Sequence, residues 1–154
     1  MVIIVGYLFL VRYQQGQSAH RAEAWLAYLE ATASGLPASH EDVAQMYSDV
    51  DAIQGLGLIN AGDAYLQSVV LDQTVGGDAS VVTVLSLEDR TFYLDKADGL
   101  YQRVVELYDK TPAAALLVIS GLNGRAAVAE TRGDFDGAKG FYESVIAQAK
   151  AQYP

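Results

Sequence analysis

Few residues in this chain are of types that do chemistry, and their spacing does not gather them. There are two histidines, His20 and His40, and no cysteine. Neither histidine has a second His or Cys at ligand spacing beside it. A metal site or a His-based proton relay would therefore need the fold to unite them, and both are expected on the surface. The pairs Asp95 with Asp98 and Asp134 with Asp136 have the spacing of paired carboxylates. Each sits at a helix start or on a polar face, where acids favour the helix dipole. Glu88, Asp89 and Arg90 read as a solvated helix start. Gly76-Gly77-Asp78 lacks the GxxxxGK pattern of a phosphate loop. The run GLGLINAG from Gly55 to Gly62 lacks the preceding strand of a dinucleotide loop. Tyr28, Tyr47, Tyr65, Tyr93, Tyr101, Tyr108 and Tyr142 recur on apolar helix faces. They are expected as core or rim residues whose hydroxyls reach water. These residues predict no enzyme, no cofactor and no metal.

Composition narrows the classes that remain. The chain has 154 residues, of which 51% are apolar and 19% charged. That suits one globular domain with a core of its own. The formal net charge is −9, so the surface repels phosphate backbones and anionic lipid headgroups alike, and nucleic acid is not an expected partner. Without cysteine there are no disulfides and no thiol chemistry. Abundant Ala and Gly with scarce Pro favour closely packed helices over sheet.

The elements that must position any site begin with MVIIVGYLFLV, an unbroken apolar run without charge. A spanning helix needs about 20 apolar residues, so this run supplies about half of one. It also fits a short helix buried against a partner, or a core strand, since it is β-branched and aromatic. The preferred reading is the outer half of a transmembrane helix over residues 1–16, with Tyr7, Arg12 and Tyr13 forming the aromatic and basic belt at the membrane interface. Residues 18–32 predict a helix with Ala22, Trp25, Tyr28 and Leu29 on its buried face and Arg21, Glu23 and Glu30 away from it. No proline separates this helix from the apolar run, so one long helix is possible, with Gly16 as its weak point.

Ser39 and Asp42 suggest the next helix start. Apolar spacing then continues to Leu71, interrupted at Gly55 and Gly57, which predicts two helices or one kinked helix. Residues 72–87 read as an irregular insertion. The fallback is a short hairpin pairing Val69–Leu71 with Val81–Leu85. Residues 88–110 are helical again, with Phe92, Leu94, Ala97, Leu100, Tyr101, Val104, Val105 and Tyr108 on one broad face.

From Pro112 to Ala147, two apolar-striped runs flank the turn GDFDG. Leu116, Ile119, Leu122, Ala126 and Ala129 share one stripe, and Phe135, Ala138, Phe141 or Tyr142, and Val145 share the other. Gly133 is placed to take a left-handed C-cap and Asp134 to cap the following helix. Ala126, Ala129 and Ala138 permit close approach of an antiparallel hairpin.

Leu122, Ala126, Gly133, Asp134, Ala138, Tyr142 and Val145 resemble a tetratricopeptide repeat, with a large apolar residue, a small one, a Gly-Asp turn, then Ala and an aromatic. Arg125 and Ala129 depart from it, and the closing proline comes late, at Pro154. Ala97 and Tyr101 repeat the pairing of Ala138 and Tyr142, 41 residues upstream. The whole layout resembles single-span bacterial inner-membrane proteins with a periplasmic tetratricopeptide-like domain, the family that includes the ancillary secretion-translocon subunit. The resemblance implies an all-α hairpin solenoid over residues 17–154, acting as a membrane-anchored, non-enzymatic adaptor for other envelope proteins. It places Asn123, Ala127 and Glu130 on the partner groove. A structural accessory subunit of a large respiratory or photosynthetic membrane complex is the alternative. Arg12 and Arg21 argue mildly against a periplasmic domain.

Overall fold

The computed structural model describes residues 2–76 and 84–152, with the helical backbone alone at 2–11, 13 and 14. The fold is all-α: α1 (Val2–Ser34), α2 (Pro37–Met46), α3 (Ile53–Leu71), α4 (Leu87–Tyr108), α5 (Ala115–Arg132) and α6 (Phe135–Gln152), with a 3₁₀ turn at Pro112–Ala114 before α5. Among the described residues there is no strand. The fallback hairpin fails at its first arm, because Val69–Leu71 is the last turn of α3. Its second arm lies largely outside the described residues.

The helix ends follow from local chemistry, though not always from the residues the sequence singles out. Gly133 takes φ +78°, and the amides of Gly133 and Asp134 donate back to the carbonyls of Glu130 and Ala129, which closes α5 as a left-handed cap does. Asp134 then accepts from the Gly137 amide at 3.0 Å, as an N-cap should. At α2 the start signal is Pro37 in the first turn after an extended Leu36, with no side-chain cap, so Ser39 and Asp42 do not mark it. The break between α2 and α3 falls at residues 47–52, where Asp51 adopts φ +40°. Gly55 and Gly57 do not interrupt the helix. They lie buried inside α3, where a Cβ at Gly55 would meet Leu117 at 2.7 Å and one at Gly57 the His40 carbonyl oxygen at 2.8 Å.

Each helix from α2 onward packs chiefly on its neighbour in sequence, while α1 also touches α3, and α3 also touches α5. The odd-numbered helices thus form one row of a hairpin stack. One core cluster joins Ala24 and Ala31 of α1 to Val43, Tyr47, Val50 and Ile53. A second joins Val69, Leu85, Leu94, Ala97, Tyr101 and Val128. Tyr101 is fully buried and its ring lies against Gly62 of α3 and Gly124 of α5, where an added Cβ would come within 2.8 and 2.5 Å. Its hydroxyl donates to Asp63 at 2.6 Å.

The inward face of α1 differs from the expected one. Ala24, Ala27, Tyr28 and Ala31 pack on the core, whereas Ala22 is exposed, as are Trp25 at 39%, Leu26 at 58% and Leu29 at 60%. Alanines let α1 lie close to α2 and α3, and that closeness turns the larger side chains outward. Arg21, Glu23 and Glu30 are exposed, as expected, though the first two have neighbours on the next elements. Arg21 pairs with Asp51 at 3.0 Å and Glu23 lies beside Tyr47.

In α5, Ala115, Leu117, Val118, Gly121, Ala126, Val128 and Ala129 are buried while Leu116 is exposed. The predicted stripe is offset because α5 is covered on two sides, by α4 and α6. In α6, Phe135 is exposed and Ala138 is the buried member of its stripe. Ala126, Ala129 and Ala138 are all buried at the close approach. Pro112–Arg132 is long and apolar enough to cross a bilayer, and its position between α4 and α6 accounts for that composition.

Candidate functional site

Asn123, Ala127 and Glu130 fall at helical spacing on α5, with Asn123 and Glu130 exposed and Ala127 half-buried. Leu116 and Ser120 extend the same uncovered strip toward the start of α5. Glu130 is partly engaged within its own hairpin. Burial and this neighbouring carboxylate together raise the Tyr142 hydroxyl. Tyr7 and Tyr13 lie outside the residues whose side chains are described, and Arg12 is exposed.

At the N-terminal end of that strip the structure adds a feature the sequence did not signal. A cavity of about 510 Å³ opens between the first turns of α3 and α5. Ala52, Leu56, Ala113, Ala114, Leu116 and Leu117 make its walls, and Asp51, Tyr108 and Thr111 its polar edge. Gly55 permits this geometry, because it lets Leu117 and the Tyr108 ring approach the α3 backbone. Tyr108 lines the cavity, and its oxygen accepts from the Gly55 amide at 3.2 Å. Burial raises its hydroxyl, and the Gly55 amide opposes that shift. A hydrophobic lining with few polar groups is the usual make-up of small-ligand sites.

The tyrosine hydroxyls are used inside the protein more than the expected contact with water would suggest. Tyr101 donates to Asp63 and Tyr65 to Glu41 at 3.2 Å. Tyr28 accepts from Asn60 at 2.8 Å. Burial and the Glu41 carboxylate push Tyr65 up to about 12, and burial with Asp63 pushes Tyr101 higher still. These bonds tie helices across their seams.

The acidic residues expected on free faces also have partners. Asp98 holds Arg125 at 2.9 Å, and the Arg125 guanidinium lies over the Phe141 ring. Asp95 pairs with Arg132. Asp72 binds Arg90 at 2.7 Å and accepts from the Leu85 amide at 3.3 Å, joining the two ends of the insertion. Glu88–Arg90 is therefore not simply a solvated start. Ser86 caps α4, accepting from the Asp89 amide at 3.0 Å.

His20 is half-buried and faces Asp49 at 3.2 Å. His40 is not a surface residue. It is 4% exposed, packed at 6.0 Å between ring centroids from Tyr28, and its Nδ1 has no hydrogen-bond partner. Burial lowers its pKa, and the Asp63 charge partly restores it. The histidines thus have separate partners. Among the described residues no three His, Asp or Glu side chains are grouped to hold a metal. Comparison of the chain with protein-family models, with curated proteins and with solved structures gives no match.

Proposed function

We propose that this chain is a non-enzymatic interaction adaptor, a tetratricopeptide-like stack of helical hairpins tethered to a bilayer through the N-terminal part of α1. The observation that carries the reading is the uncovered apolar line on α1, formed by Ala22, Trp25, Leu26 and Leu29. Terminal elements of stacked-hairpin proteins normally turn a polar face outward to stay soluble. Here the first helix turns Trp25, Leu26 and Leu29 outward, and α6 leaves Phe135 and Ile146 exposed at the other end. Such faces suit protein partners.

The tether rests on sequence. From Ser18 back to Val2 the helix runs about 24 Å at 1.5 Å per residue, and Arg12, Gln15, Gly16 and Ser18 along it are exposed. In this reading the bilayer begins near Arg12, Tyr7 and Tyr13, and the helical domain lies on the periplasmic side of a bacterial inner membrane. Asn123, Ala127 and Glu130 form a second contact surface.

The same α1 line also favours the alternative, a fixed accessory subunit of a large membrane complex, because permanent interfaces are the more hydrophobic ones. Co-purification from native membranes in mild detergent, at two salt concentrations, separates the two. The test compares the natural chain with a Leu26→Glu, Leu29→Glu variant. Substoichiometric partners lost in the variant support the adaptor. A constant-ratio set that survives salt supports the fixed subunit. Recovery wholly in the soluble fraction sinks the tether, and a partner set indifferent to the variant removes α1 as the docking face.

A further inference from the structure

We infer that the cavity between α3 and α5 binds an uncharged amphiphile, an aliphatic chain headed by a carbonyl such as an ester. The size fits. At ~30 Å³ for a water-sized group, 510 Å³ has room for a chain on the order of ten carbons. The walls fit as well, since Ala52, Leu56, Ala113, Ala114, Leu116 and Leu117 offer an aliphatic chain contact without any buried polar atom to desolvate.

The edge selects the head group. Asp51 is held by Arg21 at 3.0 Å, so the two charges cancel and the rim calls for neither an anion nor a cation. An ionised head would give up hydration with no counter-charge to replace it. Tyr108 supplies what a carbonyl needs. Its oxygen already accepts from the Gly55 amide, and no acceptor among the described residues takes its own proton. That proton is available to a carbonyl oxygen entering the cavity, and the Thr111 hydroxyl on the rim is a second donor.

The test uses the full chain held in solution by an amphipathic polymer, because detergent chains would compete. Methyl octanoate, sodium octanoate and octylammonium chloride are titrated separately, and backbone amide NMR signals are followed. Saturable shifts confined to Gly55, Leu56, Thr111 and residues 113–117 are expected with the ester. The two charged probes should bind at least about tenfold more weakly, from the cost of burying an ion. Ala113 is exposed on the 3₁₀ turn, so Ala113→Phe fills the cavity without touching the core and should cost about tenfold or more in ester affinity. Tyr108→Phe should cost about fivefold, the usual worth of one neutral hydrogen bond. Shifts that never saturate, or that spread to Leu26 and Ile146, would overturn the site. Octanoate or octylammonium binding as tightly as the ester would overturn the neutral-head assignment. An unchanged affinity in Ala113→Phe would place the ligand elsewhere.

Discussion

Replacing Gly124 by alanine should destabilise this protein, although the same change in an exposed helix stabilises one. Alanine is favoured over glycine inside a helix by about 1 kcal/mol. At Gly140, in α6, a Cβ would meet nothing within 4 Å, so Gly140→Ala should gain up to that amount. At Gly124 a Cβ would lie 2.5 to 2.6 Å from three atoms of the Tyr101 ring. The ring has little room to slide, since Gly62 of α3 bounds it as well and Asp63 holds its hydroxyl at 2.6 Å. Overpacking of this kind costs about 1–3 kcal/mol, so the net effect is a loss of up to about 2 kcal/mol once the helix gain of about 1 kcal/mol is counted. The two variants should then differ by about 1–3 kcal/mol in urea denaturation followed by far-UV circular dichroism. In a Tyr101→Leu background the Gly124→Ala penalty should shrink or reverse, a coupling that a double-mutant cycle measures directly. If Gly124→Ala stabilises as much as Gly140→Ala, Tyr101 does not sit between the two glycines and the account of the second core cluster is wrong.

Asp72→Ala removes the acceptor shared by Arg90 and the Leu85 amide, and should cost about 1–2 kcal/mol while speeding limited proteolysis within residues 73–85. Unchanged cleavage would mean that Asp72 does not secure the insertion. His40 has its pKa lowered from 6.5 by burial, so below about pH 6.5 the unfolded chain takes up a proton that the folded chain resists. Stability should be full above that pH and fall as the pH drops through the lowered folded value, and His40→Leu should flatten this slope of the urea midpoint against pH. Tyr65 has its pKa raised from 10 to about 12. Its contribution is present below pH 10 and lost as the pH climbs toward 12, so tyrosinate absorbance should rise together with loss of helix in that window. A fully gradual rise with the helix intact would contradict the buried hydroxyls.

Features set by neighbouring residues were legible in the sequence. The α5–α6 turn is one, because Gly133 and Asp134 act on amides and carbonyls within five residues of themselves. The all-α class is another. What depends on the partner helix was not legible. A wheel drawn for residues 18–32 turns Trp25 and Leu29 inward because they are large and apolar, yet the small residues win once α2 and α3 come close. The α2–α3 break was expected at Gly55 and Gly57 and falls instead at residues 47–52, where no Gly or Pro lies; the glycines nearby serve close approach instead. The burial of His40 and the cavity beside Tyr108 follow from which helices meet, and single-helix spacing carries no trace of either. Of the residues that the resemblance placed on a partner groove, Asn123 and Glu130 are exposed and Ala127 is half-buried, and the engagement of Glu130 with Tyr142 needed the second helix of the hairpin.

The nearest-neighbour order of the helices has a consequence for how the chain is made. Contacts between consecutive elements keep contact order low, and such proteins fold quickly, in pieces, as the chain emerges. Most seams here can close as soon as the next helix is synthesised. Tyr101 is an exception. The α3–α4 hairpin gives its ring one wall at Gly62, but the other wall, at Gly124, arrives only with α5. Until then a tyrosine that ends fully buried presents one ring face to water or to whatever protein is nearby. The α3–α4 unit is therefore an intermediate prone to sticking, and its vulnerable interval lasts for the synthesis of roughly one helix.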